Sequence, residues 1–277
     1  MGSMASRFYR RVRHLVEAAG LKSVILPFYR QWTHLQYRLA GEVQAVEIGG
    51  ASARFLIPTR NEWSDFRTIE ERPILDHLVS NLHPDDVFYD IGGNLGLYSC
   101  LVADVVDQPV IAFEPHPGNA GRLEENADLN GADISVFRRA LADSTGETEL
   151  TITLENVGSA GHTLVSDWDH GVDSIAISKV RGDEFIVKKD LPRPTVVKID
   201  VEGAERAVLG GLDATLSDPD CRLVYCETHA ERLEIQGSSV ADVRATLESQ
   251  GFSVTEHPIR EGRGVSMLIG AKPNSAV

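Results

Sequence analysis

A chain of 277 residues, 42% of them hydrophobic, can bury a sizeable core as one large α/β domain or one domain with an appendage, which excludes wholesale disorder. Its net charge of −14 is uneven: Arg7, Arg10, Arg11, Arg13, Lys22, Arg30 and Arg38 meet only Glu17 in residues 1–40, so the body beyond is strongly acidic. Such a body repels phosphate backbones, and nucleic acid is not expected as a partner.

The opening segment to residue 41 mixes its cations with Phe8, Tyr9, Val12, Leu15 and Val16, as an amphipathic helix does. It reads as a helix packed on the body or on a sister subunit in a homo-oligomer, and alternatively as a peripheral membrane foot; the packed reading is preferred. "VQAVEIGGASARFLIPT" alternates apolar and polar residues around Gly49 and Gly50, the pattern of a β-hairpin. Pro73 suits the first turn of a helix in which Leu75, Leu78, Val79 and Leu82 recur at helical spacing. Residues 1–69 are therefore expected as a helical and hairpin extension and 70–277 as the main domain.

Strand and helix then alternate: a strand at 87–91, a helix carrying Tyr98, Leu101, Val102 and Val105, a strand at 110–114, a helix over 117–130 and a strand at 134–140. Strands at 195–200 and 222–227 follow, and then a helix with Val240, Val243 and Leu247. This alternation implies a largely parallel sheet covered on both faces. Between them, "ETELTIT" and "SIAISKV" read as short strands of an insert at 146–190, and "FSVTEHP" with "VSMLIGA" as a terminal antiparallel pair. Cys100, Cys221 and Cys226 form no CxxC pair, so a reducing, cytoplasmic setting is expected, with neither a zinc site nor a disulfide framework. No stretch approaches 18 uninterrupted apolar residues.

Polar residues gather at the strand ends, where ligands of such sheets bind. "VFYDIGGNLGLYS", 87–99, is a D-x-G-x-N-x-G loop and lacks the third glycine of the dinucleotide fingerprint. Its small residues at 92, 93 and 96 let a ligand approach the backbone, and Asp90 offers a carboxylate to an ammonium; alternatively the loop is a tight turn with Asp90 as a helix cap. Glu114 follows the glycines by about 20 residues, the place where an acid grips a ribose. A ligand with ammonium and ribose but no pyrophosphate is S-adenosylmethionine. In "KIDVEGAE", 198–205, Lys198 and Asp200 share one strand face. A buried lysine needs a partner, so Lys198 is expected to pair structurally with an acid such as Glu205, leaving Asp200 and Glu202 at the mouth of the crevice. In "CETH", 226–229, His229 beside Glu227 reads as a general base and otherwise as a structural histidine.

Taken together, "FYDIGGNLGLYS", "AFEPHPGNAGRLEENADLN", "RALADSTGETEL", "VVKIDVEGAERAVLGG" and "VYCETH" resemble the FkbM family of methyltransferases over residues 70–270. The resemblance implies a class I Rossmann-like methyltransferase fold, a seven-stranded mostly parallel sheet with an antiparallel last strand. It implies methyl transfer from S-adenosylmethionine to oxygen, commonly a hydroxyl of a sugar or polyketide. It places the cofactor's methionine end at Asp90, Gly92, Asn94 and Gly96, its ribose at Glu114 and its adenine near Arg139, Ala140 and Leu141. Gly93 departs from the family's usual alanine or other small side chain. On this reading His229 or Asp200 is the base, and Glu202 and Glu227 position the acceptor. A second version holds Mg²⁺ at Asp200, Glu227 and His229; the metal-free version is preferred. A nucleotide-cofactor oxidoreductase, a non-catalytic binding module and an RNA methyltransferase are the rivals. Trp63, Trp168 and His170 do not identify the acceptor, for which a hexuronic acid or other sugar of a glycan is preferred over a lipid-linked or small secondary metabolite.

The body uses Arg and Asp far more than Lys, a balance that resembles proteins of salt-loving microbes. Screening of its self-repulsion predicts a melting temperature that rises from low to molar salt; melts indifferent to salt overturn that expectation.

Overall fold

The computed structural model describes residues 31–32, 35–152, 173–260 and 264–273. The expected N-terminal amphipathic helix, apart from the residues after 30, lies outside them, as do Trp168, His170 and Gly262. Among the described residues, no helix is long and apolar enough to cross a membrane. The chain divides into two compact units, Met1–Gln44 with Ile57–Arg67, and Ala45–Leu56 with Thr68–Val277.

A hairpin of β1 (Val43–Ile48) and β2 (Ala51–Leu56) turns at Gly49 and Gly50, both at positive φ, as a two-residue turn of this twist requires. The outward N–H groups of β2 are answered by side chains: Ser52 N donates to Asp104 Oδ2 at 2.7 Å, Arg54 N to Asn130 Oδ1 at 2.8 Å and Leu56 N to Asn126 Oδ1 at 2.9 Å. In the first unit, α1 (Arg60–Arg67) opens on a reciprocal cap. Thr59 N donates to Glu62 Oε2 at 2.9 Å and Glu62 N to Thr59 Oγ1 at 3.2 Å. Trp63 on this helix is buried and lies 6.3 Å from the Tyr37 ring.

In the second unit, α2 (Arg72–Ser80) starts with Pro73 in its first turn and buries Ile74, Leu75, Leu78 and Val79, the face its spacing predicts. The alternating body follows: β3 (Phe88–Ile91), α3 (Leu97–Ala103), β4 (Val110–Phe113), α4 (Pro117–Asn130), β5 (Ile134–Phe137). Three strands, β6 (Ala140–Ala142), β7 (Gly146–Ile152) and β8 (Asp173–Arg181), make a separate sheet in the order β6-β8-β7, which is the insert. The chain continues through α5 (Gly182–Lys189), β9 (Val196–Ile199), α6 (Glu205–Gly211), α7 (Asp213–Ser217), β10 (Leu223–His229), α8 (Ala230–Ile235), α9 (Val240–Ser249), β11 (Ser253–Arg260) and β12 (Val265–Ala271).

The main sheet has seven strands in the order β5-β4-β3-β9-β10-β12-β11. Its pairs from β5 to β10 are parallel, and β12 runs against both neighbours. This is the class I Rossmann-like arrangement with the antiparallel last strand that the resemblance implies. The apolar residues of β3, β4, β9 and β10 are buried on both faces, which is why these strands read as near-continuous hydrophobic runs.

Two boundaries differ from expectation. The single strand expected over 134–140 breaks in two, because Arg138 pairs with Glu124 at 2.6 Å and Arg139 N turns back onto Phe137 O at 2.8 Å. Ala140–Ala142 then joins β8 in the other sheet. The strand expected over 222–227 runs on to His229, since β12 pairs with it as far as His229 opposite Val265.

From β3 the chain moves outward to β4 and β5, then returns to build β9 and β10 on the other side, so the order reverses between β3 and β9. Crevices open at such switch points. Here Asp200 N donates to Ile91 O at 2.9 Å, and the two loops touch backbone to backbone. Gly92, at φ +81°, permits this approach: a Cβ there meets Asp200 O at 1.8 Å. At Gly93 a Cβ overlaps with Leu123 Cδ1, the movable end of a side chain, at 2.7 Å, and makes ordinary contact with Ala112 Cβ and Asp90 Oδ2 at 3.6 Å. Gly92→Ala should therefore lose the roughly 1–3 kcal/mol of a left-handed non-glycine residue and the steric overlap besides, while Gly93→Ala loses far less. Denaturant titrations rank the two, and equal stabilities overturn the assignment.

Candidate active site

The ends of β3, β9 and β10 lie side by side and carry three of the four polar signals of the sequence to one edge of the sheet. At the first end Asp90 is fully buried. Its Oδ2 accepts from Ser99 N at 3.1 Å and from Ser99 Oγ at 2.6 Å, and its Oδ1 lies 3.4 Å from Lys198 Nζ. An ammonium from outside reaches this carboxylate only by displacing those partners.

Lys198 is the centre of the β3/β9 seam. Its Nζ donates to Gly92 O at 2.9 Å, lies 3.5 Å from Asp200 Oδ2 and sits 5.0 Å from the Tyr98 ring centroid. Burial opposes its charge, but the carboxylates of Asp90, Asp200, Glu71 and Glu227 outweigh it and raise its pKa. The structural pairing expected for Lys198 is present with different acids. Glu205 is engaged elsewhere, accepting from Gly203 N at 2.9 Å and lying 3.1 Å from His229 Nδ1.

The glycine loop is packed against its own protein more than the spacing suggested, with a Cβ at Gly93 or Gly96 running into Leu123 of α4. What the loop presents is backbone and Asn94, itself at φ +47°. Asn94 Oδ1 is buried with no hydrogen-bond partner among the described residues. Asn94 N donates to Glu114 Oε2 at 2.9 Å, and His116 N donates to Glu114 Oε1 at 2.8 Å. A carboxylate oxygen has two lone pairs, so each oxygen of Glu114 keeps one acceptor site. An orphaned acceptor at Asn94 and a diol-ready carboxylate at Glu114 fit a ligand with an amino-acid end and a ribose. Arg139 places its guanidinium 5.0 Å from the Phe185 ring centroid, with Nε unpartnered among the described residues. Ala140 and Leu141 bury their side chains in β6, so their backbone is what remains to offer a ligand.

At the β10 end His229 is held by three acids: Nε2 lies 2.9 Å from Glu202 and 3.5 Å from Glu227, and Nδ1 3.1 Å from Glu205. Burial disfavours the imidazolium, but bonds to Glu202, Glu205 and Glu227 outweigh it and hold the ring protonated well above its ordinary range. Glu202, at φ +54°, is also bonded by Arg232 NH1. Burial, then the Asp200 charge, pushes the Glu227 carboxyl up to about 7 against the pull of His229. Asp200 Oδ1 and Glu227 Oε2 are buried atoms with no hydrogen-bond partner among the described residues. Asp200, Glu227 and His229 bring one ligand atom each within 4.8 Å of one another.

Three participants escaped the sequence reading. Ser99 and Tyr98 stand beyond the glycine loop, and only the path of that loop brings them to Asp90 and Lys198. Arg232 follows His229 by three residues, one helical turn, a spacing that was legible. Glu205 was seen and given the wrong partner. Trp63 belongs to the other compact unit.

Residues 90–254 match the family described as the methyltransferase FkbM domain. Over 202 residues the chain is 30% identical to the hexuronic acid methyltransferase AglP of Haloferax volcanii, which covers 73% of this chain and 80% of that protein. It is 27% identical over 247 residues to the 31-O-demethyl-FK506 methyltransferase FkbM of Streptomyces tacrolimicus, covering 78% of this chain and 88% of that one. The crystal structure of a methyltransferase FkbM from Methylobacillus flagellatus shares the fold, with a TM-score of 0.51 at 14% identity over 76% of this chain; the match spans about half, 54%, of that chain.

Glu114 gives a pH signature. Burial, only partly offset by the His116 and Asn94 N–H groups, raises its carboxyl from 4.5 to about 7. Between those values the folded state holds a proton that the unfolded state has lost, so this group lowers stability as pH rises through the window. Thermal melts across that window should show a flatter pH slope for Glu114→Gln than for the wild type, whatever the offset between them. Identical slopes overturn the shift.

Proposed function

The chain belongs to the FkbM methyltransferase family and is an S-adenosylmethionine-dependent methyltransferase, and from that premise we propose that it methylates a hydroxyl oxygen of a sugar, a hexuronic acid first and another small-metabolite hydroxyl second. The observation that carries the reading is the pair Asp200 Oδ1 and Glu227 Oε2, buried acceptors at adjacent strand ends that lack donors among the described residues. Hydroxyl groups supply such donors. Two relatives support it: one is named for a hexuronic acid, the other for a compound lacking an O-methyl group.

In this reading the loop of Asp90, Gly92, Asn94 and Gly96 holds the methionine end of the cofactor, Glu114 the ribose, and Arg139, Ala140 and Leu141 border the adenine. When bound, S-adenosylmethionine supplies a methyl group made electrophilic by its sulfonium. The protein's task is alignment, which in well-oriented systems lowers a barrier by about 7–11 kcal/mol. Glu227 and Glu202 position the acceptor. Asp200 has one oxygen near Lys198 and the other unpartnered, and its side chain is 26% exposed. It takes the hydroxyl proton and passes it to water. His229 keeps Glu202, Glu205 and Glu227 in place through its two ring nitrogens.

Asp200→Asn should lower kcat by roughly 10²–10⁴ while S-adenosylhomocysteine still raises the melting temperature. The acceptor is read by transfer of an isotopically labelled methyl group to uronic-acid glycans and to neutral sugars, with mass spectrometry locating the label. An undiminished kcat removes Asp200 as the base, and failure to label any sugar overturns the acceptor class.

A further inference from the structure

The acceptor side of the site carries more negative charge than its own fixed cations answer. Asp90, Asp200, Glu202, Glu205 and Glu227 meet there, against the ammonium of Lys198, the guanidinium of Arg232 and one imidazole. Buried carboxylates in such excess are costly unless paired or bound to a cation.

We propose that Asp200, Glu227 and His229 form a binding site for one divalent cation of the Mg²⁺ and Mn²⁺ class. Their ligand atoms already lie within 4.8 Å of one another before any ion draws them in. The Glu227 side chain is 3% exposed, and its Oε2 has no hydrogen-bond partner among the described residues; Asp200 Oδ1 likewise has none, and since each such oxygen has two lone pairs, one serves the ion and the other the acceptor hydroxyl. The imidazole is set as metal-binding histidines are set. Its Nδ1 is anchored 3.1 Å from the fully buried Glu205, which turns Nε2 toward Glu227. The ion takes the place of the Nε2 proton, which passes to water, and of one partner of that nitrogen, Glu202 at 2.9 Å; Arg232 remains to hold the displaced carboxylate. Two carboxylates suit hard cations such as Mg²⁺, and the imidazole tilts the set toward Mn²⁺.

The site also resolves a difficulty in the proposed function, on which this one step rests. A hexuronic acid is an anion and is repelled by a cluster of carboxylates. A divalent cation between Asp200 and Glu227 offsets that excess of negative charge at the surface that the acceptor meets.

Mn²⁺ alone is the probe, followed by the loss of the aqueous ion's electron paramagnetic resonance signal as protein is added. The expected result is a single Mn²⁺ per chain, displaced by excess Mg²⁺. Glu205→Gln, which changes the anchor of the imidazole, should weaken binding about 10–100-fold, and Asp200→Asn and Glu227→Gln should weaken it at least as much. In isotope-labelled wild-type protein, Mn²⁺ should selectively broaden the amide signals of Ile199 and Thr228, which decides the location even if a variant fails to fold. Absence of bound Mn²⁺ at millimolar concentration, binding unchanged in both Asp200→Asn and Glu227→Gln, or broadening confined to other regions overturns the site. Stabilisation by S-adenosylhomocysteine, measured on the same samples, reports the methyltransferase reading separately: a protein that binds it but not Mn²⁺ loses the cation site alone.

Discussion

Lys198 brings a charge to a point in the sheet where 3% of its surface is exposed, and the loops around it are arranged to answer that charge. Its ammonium bonds the Gly92 carbonyl and lies between Asp90 of one strand and Asp200 of the next. Stripped of both carboxylates, the ammonium would be left without a close counter-charge in a low-dielectric place, which costs several kcal/mol. The positions of the two loops are thus coupled: the glycine loop after β3 cannot shift without stranding the lysine of β9. Gly92 serves the same seam sterically, since the Asp200 carbonyl occupies the space of its missing side chain. The glycine loop and the loop after β9 are held in one geometry by a charge and a void.

Beside this balanced cluster stands an unbalanced one. Around His229 the acids outnumber the bases, and several of their oxygens have no donor among the described residues. Stability alone does not select for such an arrangement. The contrast separates the two halves of the crevice: at the β3/β9 seam the ammonium and the carboxylates answer one another, while the β9/β10 side holds more unfilled acceptors than donors.

The strand ends were legible because buried parallel strands are apolar until they reach the edge, so Asp90, Glu114, Asp200 and Glu227 each announce the end of a run. The helices over 72–80, 117–130 and 240–249 were legible by period, and the hairpin by its two glycines. Partnerships were not. Lys198 was given to Glu205 because the two are close in sequence, yet Asp90 is nearer in space, across a neighbouring strand. The short helices α5 to α8 escaped because five to eight residues hold too few turns to show a period. The cap at Thr59 and Glu62 shows the opposite case, a readable T-x-x-E signature in front of a helix that the hydrophobic pattern did not mark.

One feature far from the chemistry has its own consequence. An edge strand with open N–H groups is a template on which another chain can add a strand. Along β2 that template is taken: the donors of Ser52, Arg54 and Leu56 end on Asp104, Asn130 and Asn126, and Asn130 Nδ2 also donates to the Arg54 carbonyl. An asparagine side chain thus imitates the amide of a neighbouring strand. The hairpin is closed to edge-on self-association on that side by amide side chains of an adjacent helix, a form of protection that adds no net charge at either asparagine.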